Sequence, residues 1–186
     1  MKVLFLDIDG VLNGYNRWNL LGWRIVTKIN YKPLISFYRK VADPFAIHET
    51  KVRRLAKIVH RTNAKVVMSS SWRYGWWKKP YDKQSEGQKR LTDLLNKYNI
   101  KIIDITPIHL NTRGEEINGW LSNHKEVTNF VILDDEVSDM GIFINDKRLI
   151  QTSNINNDEI IMGKPNENTG LKNKHVRRAI KILMEE

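Results

Sequence analysis

No cysteine occurs in the 186 residues. That excludes a disulfide framework, a disulfide partner and any cysteine-ligated zinc centre. Long apolar runs are missing as well; none approaches the roughly 18–20 residues that a bilayer-spanning helix needs. The opening MKVLFLDIDG is too short an apolar run, and too soon interrupted by acids, to act as a signal peptide. Acidic charge is scarce beside basic, 21 Asp and Glu against 31 Lys and Arg, a formal net charge of +10. No internal repeat or low-complexity tract is present. What remains is enough chain for one domain over residues 1–186, expected to be soluble, cytoplasmic and free of membrane.

The basic excess falls in clusters: KVRR at 51–54, WRYGWWKK at 72–79 and KNKHVRR at 172–178. Such a surface attracts polyanions, nucleic acid first among them, although the same charge also serves solubility.

Strand-length apolar runs recur at 2–7 (KVLFLD), 64–69 (AKVVMS), 100–104 (IKIID), 129–135 (NFVILDD) and 148–152 (RLIQT). They are near-continuous rather than alternating, the pattern of parallel strands covered on both faces. Helical periods lie between them. Val52, Leu55, Ala56 and Val59 share a face, as do Leu91, Leu94, Leu95 and Tyr98 after a capping-box pair Ser85 and Gln88. Thr112 and Glu115 open another helix, with Ile117, Trp120 and Leu121 inward, and the last carries Val176, Ala179, Ile180 and Leu183. The alternation predicts an α/β class: a doubly wound, mostly parallel, Rossmann-like sheet with helices on both faces. Residues 13–47 break the pattern and read as a flap or minimal cap insertion; 153–171 read as a polar loop.

In such sheets ligands bind at the carboxyl ends of the strands. There the first run ends in Asp7 with Asp9 beyond, the second in SSSWR (69–73), and the fourth in Asp134 and Asp135, followed by Glu136 and Asp139. Gly10 permits the sharp turn that lets Asp7 and Asp9 face one cavity. Two like charges about 4 Å apart cost on the order of 4 kcal/mol at an effective dielectric near 20, so the cluster calls for a cation. Oxygen ligands without His or Cys favour Mg2+. An EF-hand loop is excluded, because Gly10 comes too early and the closing glutamate is absent. Hydroxyls and an arginine beside such a site are the company of a phosphate. One carboxylate can attack phosphorus while the other protonates the leaving oxygen and then activates water.

These motifs resemble the haloacid dehalogenase (HAD) superfamily of phosphotransferases. FLDIDGVLN is similar to its first motif, VVMSSSWR to its second, and FVILDD with Asp139 to its acidic motif. SSSWR and RGEEINGWL (113–121) resemble the HAD domains of RNA-repair-like and phage proteins. The resemblance implies Asp7 as nucleophile, Asp9 as general acid–base, and Ser69, with Ser70, on the phosphoryl oxygens. It implies Mg2+ held by Asp7, the main-chain carbonyl of Asp9 and an acid from Asp134 and Asp135, with Asp139 supporting it through water. The family's basic third-motif residue is not obvious; Arg113 is the candidate, Arg73 the rival, and Arg148 and Lys164 follow. No large cap domain is present in the sequence, so an open mouth suits a large substrate.

The expected activity is Mg2+-dependent phosphomonoester hydrolysis through an aspartyl-phosphate. A terminal phosphate on RNA or DNA is one substrate class, with Trp76 and Trp77 stacking on bases and Arg73, Lys78 and Lys79 on phosphates. The alternatives are a phosphatase of small nucleotides or metabolites, and a non-catalytic nucleic-acid-binding module on the same fold. Both tryptophans could instead pack inward.

Overall fold

A computed structural model describes residues 1–13, 25–26, 28–35, 46–108, 112–152 and 170–185. Most of the expected flap (13–47), Lys164 and most of the expected loop 153–171 lie outside the described residues.

Five strands form one sheet: β1 (Lys2–Leu6), β2 (Lys65–Met68), β3 (Ile102–Ile105), β4 (Asn129–Asp134) and β5 (Leu149–Gln151). Their order is β3-β2-β1-β4-β5 and every pairing is parallel. β1 is therefore central, as its apolar composition requires of a strand with no solvent face. Its side chains alternate between two cores. Leu4 and Leu6 enter one with Val66, Met68, Val131 and Leu133; Val3 and Phe5 enter the other with Val67, Phe130 and Ile132.

The first core is roofed by α1 (Glu49–Thr62), α3 (Glu86–Lys97) and α5 (Asn173–Met184), the second by α4 (Arg113–Ser122) and the short 3-10 turn Gly141–Phe143. A single-turn helix, α2 (Arg73–Trp76), follows β2. The two expected capping boxes form: Ser85 with Gln88 opens α3, and Thr112 with Glu115 opens α4. Helix α1 stops where Asn63 turns left-handed at φ 56°. The architecture is the doubly wound, Rossmann-like α/β sheet that the periodicities predict.

The ladders continue one residue past the strands. Asp7 donates its N–H to the Leu133 carbonyl, Ser69 to Leu6, Thr106 to Met68, and Thr152 to Asp134, at 3.0, 3.0, 3.0 and 2.7 Å. The residue after each of β1, β2, β3 and β5 is thereby locked onto one rim.

Candidate active site

Asp7 leaves β1 at the middle of that rim and is 3% exposed. Asp134 ends β4 beside it, fully buried, and Asp135 follows. One carboxylate oxygen from each of Asp7, Asp134 and Asp135 lies within 4.8 Å of the others. A single guanidinium nitrogen meets two of them. Arg113 Nη1 donates to Asp7 Oδ1 at 2.6 Å and to Asp134 Oδ2 at 2.8 Å. Three carboxylates and one cation leave an anionic, largely buried cluster. Burial, more than anything else, raises the Asp7 pKa, and the Asp135 charge adds to it; Arg113 and a hydrogen bond with the Ser70 side chain pull the other way. Burial followed by the Asp7 charge raises Asp134, again against Arg113. Burial alone would depress Arg113, but Asp134 and Asp7 outweigh it and raise its pKa.

Arg113 opens α4, where the helix dipole does not favour a cation. The backbone explains why it is there. Gly114 N–H donates to the Asp139 carbonyl at 3.0 Å, and a Cβ at Gly114 would run into the Met140 carbonyl. Only glycine lets the start of α4 press against the turn after β4. That contact delivers the preceding arginine to the acids. Asp139 therefore acts on the site through its main chain, anchoring α4.

The turn after β1 is as tight. Leu12 and Asn13 N–H groups both reach the Ile8 carbonyl, at 2.9 and 3.4 Å. Gly10 sits at φ 63°, and a Cβ there would overlap the Asp135 carboxylate. Gly10 thus meets two demands, the left-handed turn and the close approach of the Asp135 carboxylate.

Asp9 stands outside the three-carboxylate cluster and is held separately. Trp72 Nε1 donates to both its oxygens, at 3.1 and 3.0 Å, and Asn13 Nδ2 donates to Oδ1 at 2.6 Å. Asn13 Oδ1 in turn accepts from Gly10 N–H at 2.8 Å. Neither Trp72 nor Asn13 stood out in sequence. The only signal was their position, one inside SSSWR and one closing the first motif.

Of the two serines, Ser70 is the one bonded to Asp7. Ser69 Oγ is buried and has no hydrogen-bond partner among the described residues.

Several residues expected at a substrate have partners within the chain. Arg73 is 4% exposed; Nη2 pairs with Glu116 of α4 at 2.6 Å and Nη1 donates to the Ser69 carbonyl at 2.5 Å. Its charge is used to tie α2 to α4 under the site. Trp76 and Trp77 are half-buried and pack against the first core, with Trp76 Nε1 bonded to Thr92 at 2.9 Å. Lys78 is exposed at φ 56°, its Nζ 5.9 Å from the centre of the Trp77 ring. Arg148 precedes β5, at the opposite end of the strands from Asp7, paired with Asp146 at 2.5 Å.

The donor set suits a hard divalent cation: three carboxylate oxygens converge, two of them buried, with one arginine as the counter-charge. Comparison with curated proteins and with solved structures gives no match. Residues 3–156, most of the chain, match the family described as the HAD domain in Swiss Army Knife RNA repair proteins. With this rim of acids, hydroxyls and arginine inside the matched span, the chain belongs to that HAD family.

Proposed function

We propose that this chain is a Mg2+-dependent phosphomonoesterase that removes terminal phosphates from RNA or DNA in the cytoplasm. The observation that carries the reading is the pairing at Asp7. A buried carboxylate is oriented by Arg113 and by the Ser70 hydroxyl, and a second carboxylate, Asp9, is held two residues on. The family's setting in RNA repair and the +10 charge favour a nucleic-acid substrate.

In this reading Asp7 attacks phosphorus, the bond to the leaving oxygen breaks, and Asp9 gives that oxygen its proton. Asp9 then takes a proton from water, which attacks the aspartyl-phosphate, releasing inorganic phosphate and restoring Asp7. Arg113 orients the nucleophile and faces the incoming charge. Ser69 Oγ, buried and without a partner among the described residues, is the donor available to a phosphoryl oxygen. Asp7, Asp134, Asp135 and the main-chain carbonyl of Asp9 are the residues that would hold Mg2+. The ion would supply the positive charge that lets an anionic phosphate approach these carboxylates.

The test is phosphate release from 5′- and 3′-phosphorylated oligonucleotides, mononucleotides and an aryl phosphate, with and without Mg2+. Turnover should vanish in Asp7→Asn and on chelation. Activity that survives Asp7→Asn overturns the mechanism. Equal rates on mononucleotides, with no salt dependence, would move the substrate to the small-molecule class.

A further inference from the structure

The rim chemistry leaves a second concentration of charge unused. Helices α1 and α5 pack side by side over the first core. Most of their solvent-facing positions are basic: Arg53, Lys57 and Arg61 recur every four residues along α1, and Lys174, Arg177, Arg178 and Lys181 line α5. All seven are exposed. Among the described residues opposing charge is sparse: Glu49 feels Arg53 and Glu185 feels Lys181, and both acids are already paired, with Lys97 and Lys147. The one acid in α1 is Glu49, already held by Lys97 and Tyr98, and α5 contains none. No ion pair among the described residues engages any of the seven. Two buried groups register positive charge on these helices. His175 is pushed down to about 4, by burial first and then by Lys174, Lys172, Arg178 and Arg54. Lys51 is pushed down to about 8, by burial first and then by Arg54.

The stripes begin at the candidate active site. Leu171, just before α5, donates its N–H to the Val11 carbonyl at 2.9 Å, and Lys51 Nζ of α1 donates to the Asn13 carbonyl at 2.6 Å. Arg54 Nη1 ties the helices together through the Leu171 carbonyl at 2.8 Å. Both helix starts are thus fastened to the segment that follows Asp9. From there the cations run along the helices; Arg53 to Arg61 covers about 12 Å at 1.5 Å per residue.

We infer that the α1–α5 face is the docking track for the body of a nucleic-acid strand whose terminal phosphate occupies the Asp7 site. The inference rests on the phosphatase reading above. Repeated cations at one-turn intervals suit a chain of phosphates. A membrane surface would call for exposed apolar residues interleaved with the charge, and among large hydrophobics these helices expose only Met184. A protein partner would need an apolar centre, which the described residues of this face lack.

The double variant Lys57→Glu with Arg177→Glu tests it, because both residues are exposed and neither belongs to the rim. The control is Lys101→Glu with Lys125→Glu, the same charge change on exposed residues of other segments. Binding of 5′-phosphorylated single-stranded RNA and DNA is measured by fluorescence anisotropy across a salt series, beside aryl phosphate turnover. The track variant should lose about tenfold or more in affinity, and its log K against log salt slope should flatten by about 1.4, at roughly 0.7 per lost contact. Aryl phosphate turnover should stay at the wild-type rate, and the control should bind like wild type. A track variant that binds within about twofold of wild type with an unchanged slope overturns the inference. So does a control that loses as much. Track-dependent binding by a chain that releases no phosphate would overturn the phosphatase reading while leaving the track in place.

Discussion

Metal-free protein should become less stable as pH rises from the acid range toward neutrality, the reverse of ordinary acid denaturation. Asp7 and Asp134 both have pKa values raised by burial in the folded chain. In the unfolded chain they return to about 3.9. A raised carboxylate contributes stability that is fully present below its unfolded pKa and is lost as pH climbs through the folded one. Each proton that the folded state holds in excess makes stability fall by about 1.4 kcal/mol per pH unit; His175, pushed down to about 4, works against this up to about pH 6.5, so the fall is read above that, where Asp134, raised to about 8, carries it. The size of the repulsion is readable from the geometry. Two carboxylates within 4.8 Å cost about 3.5 kcal/mol at an effective dielectric near 20, and Arg113 offsets only part of the cluster. Asp134→Asn keeps the shape and removes one charge. It should flatten the slope, raise the metal-free Tm near neutral pH and abolish stabilisation by Mg2+. In the wild type, Mg2+ at about 100 times its Kd should add about 2.7 kcal/mol, or about 5–10 °C in Tm. The assay is thermal unfolding across pH in chelator and in Mg2+, for both proteins. A metal-free wild type whose stability climbs or stays level from about pH 6.5 to 7.5, with Asp134→Asn no more stable, would refute the reasoning.

Other outcomes follow from the same contacts. Trp72→Phe removes the indole N–H that reaches Asp9, so turnover should fall about 10–100-fold on an alkyl phosphate but only slightly on a dinitrophenyl phosphate, whose leaving group needs no proton. An equal loss on both substrates would remove Trp72 from the proton-transfer step. Gly10→Ala should cost at least about 1–2 kcal/mol from the left-handed turn alone, and displacing Asp135 should also eliminate the Mg2+ shift. Wild-type Mg2+ affinity in that variant, by calorimetry, would contradict the close approach. Arg73→Ala should destabilise by about 3–5 kcal/mol in chemical unfolding by stranding Glu116, while Arg73→Met with Glu116→Leu recovers most of that. A stable Arg73→Ala that only raises KM would return Arg73 to the substrate.

Apolar runs and their punctuation determined the sheet. A strand with no polar face must be covered on both sides, so KVLFL belongs at the centre, and parallel order then carries Asp7, Ser69 and Asp134 to one rim. Local chemistry also located the helix starts, because the Ser85–Gln88 and Thr112–Glu115 boxes involve only neighbours in sequence. Contacts between distant segments could not be read that way. Trp72 meets Asp9 across 63 residues, and Arg113 meets Asp7 across 106. The same applies to Arg73 and the tryptophans of WRYGWWKK. Their residue types suit a nucleic acid and a core equally well. Tertiary packing decided for the core, because Glu116 on α4 offers a buried partner to Arg73 and Thr92 on α3 offers one to Trp76. Gly10 shows the division within one residue. The turn it allows is a local property legible in DIDG, whereas the space it leaves for Asp135 exists only once β4 lies beside β1.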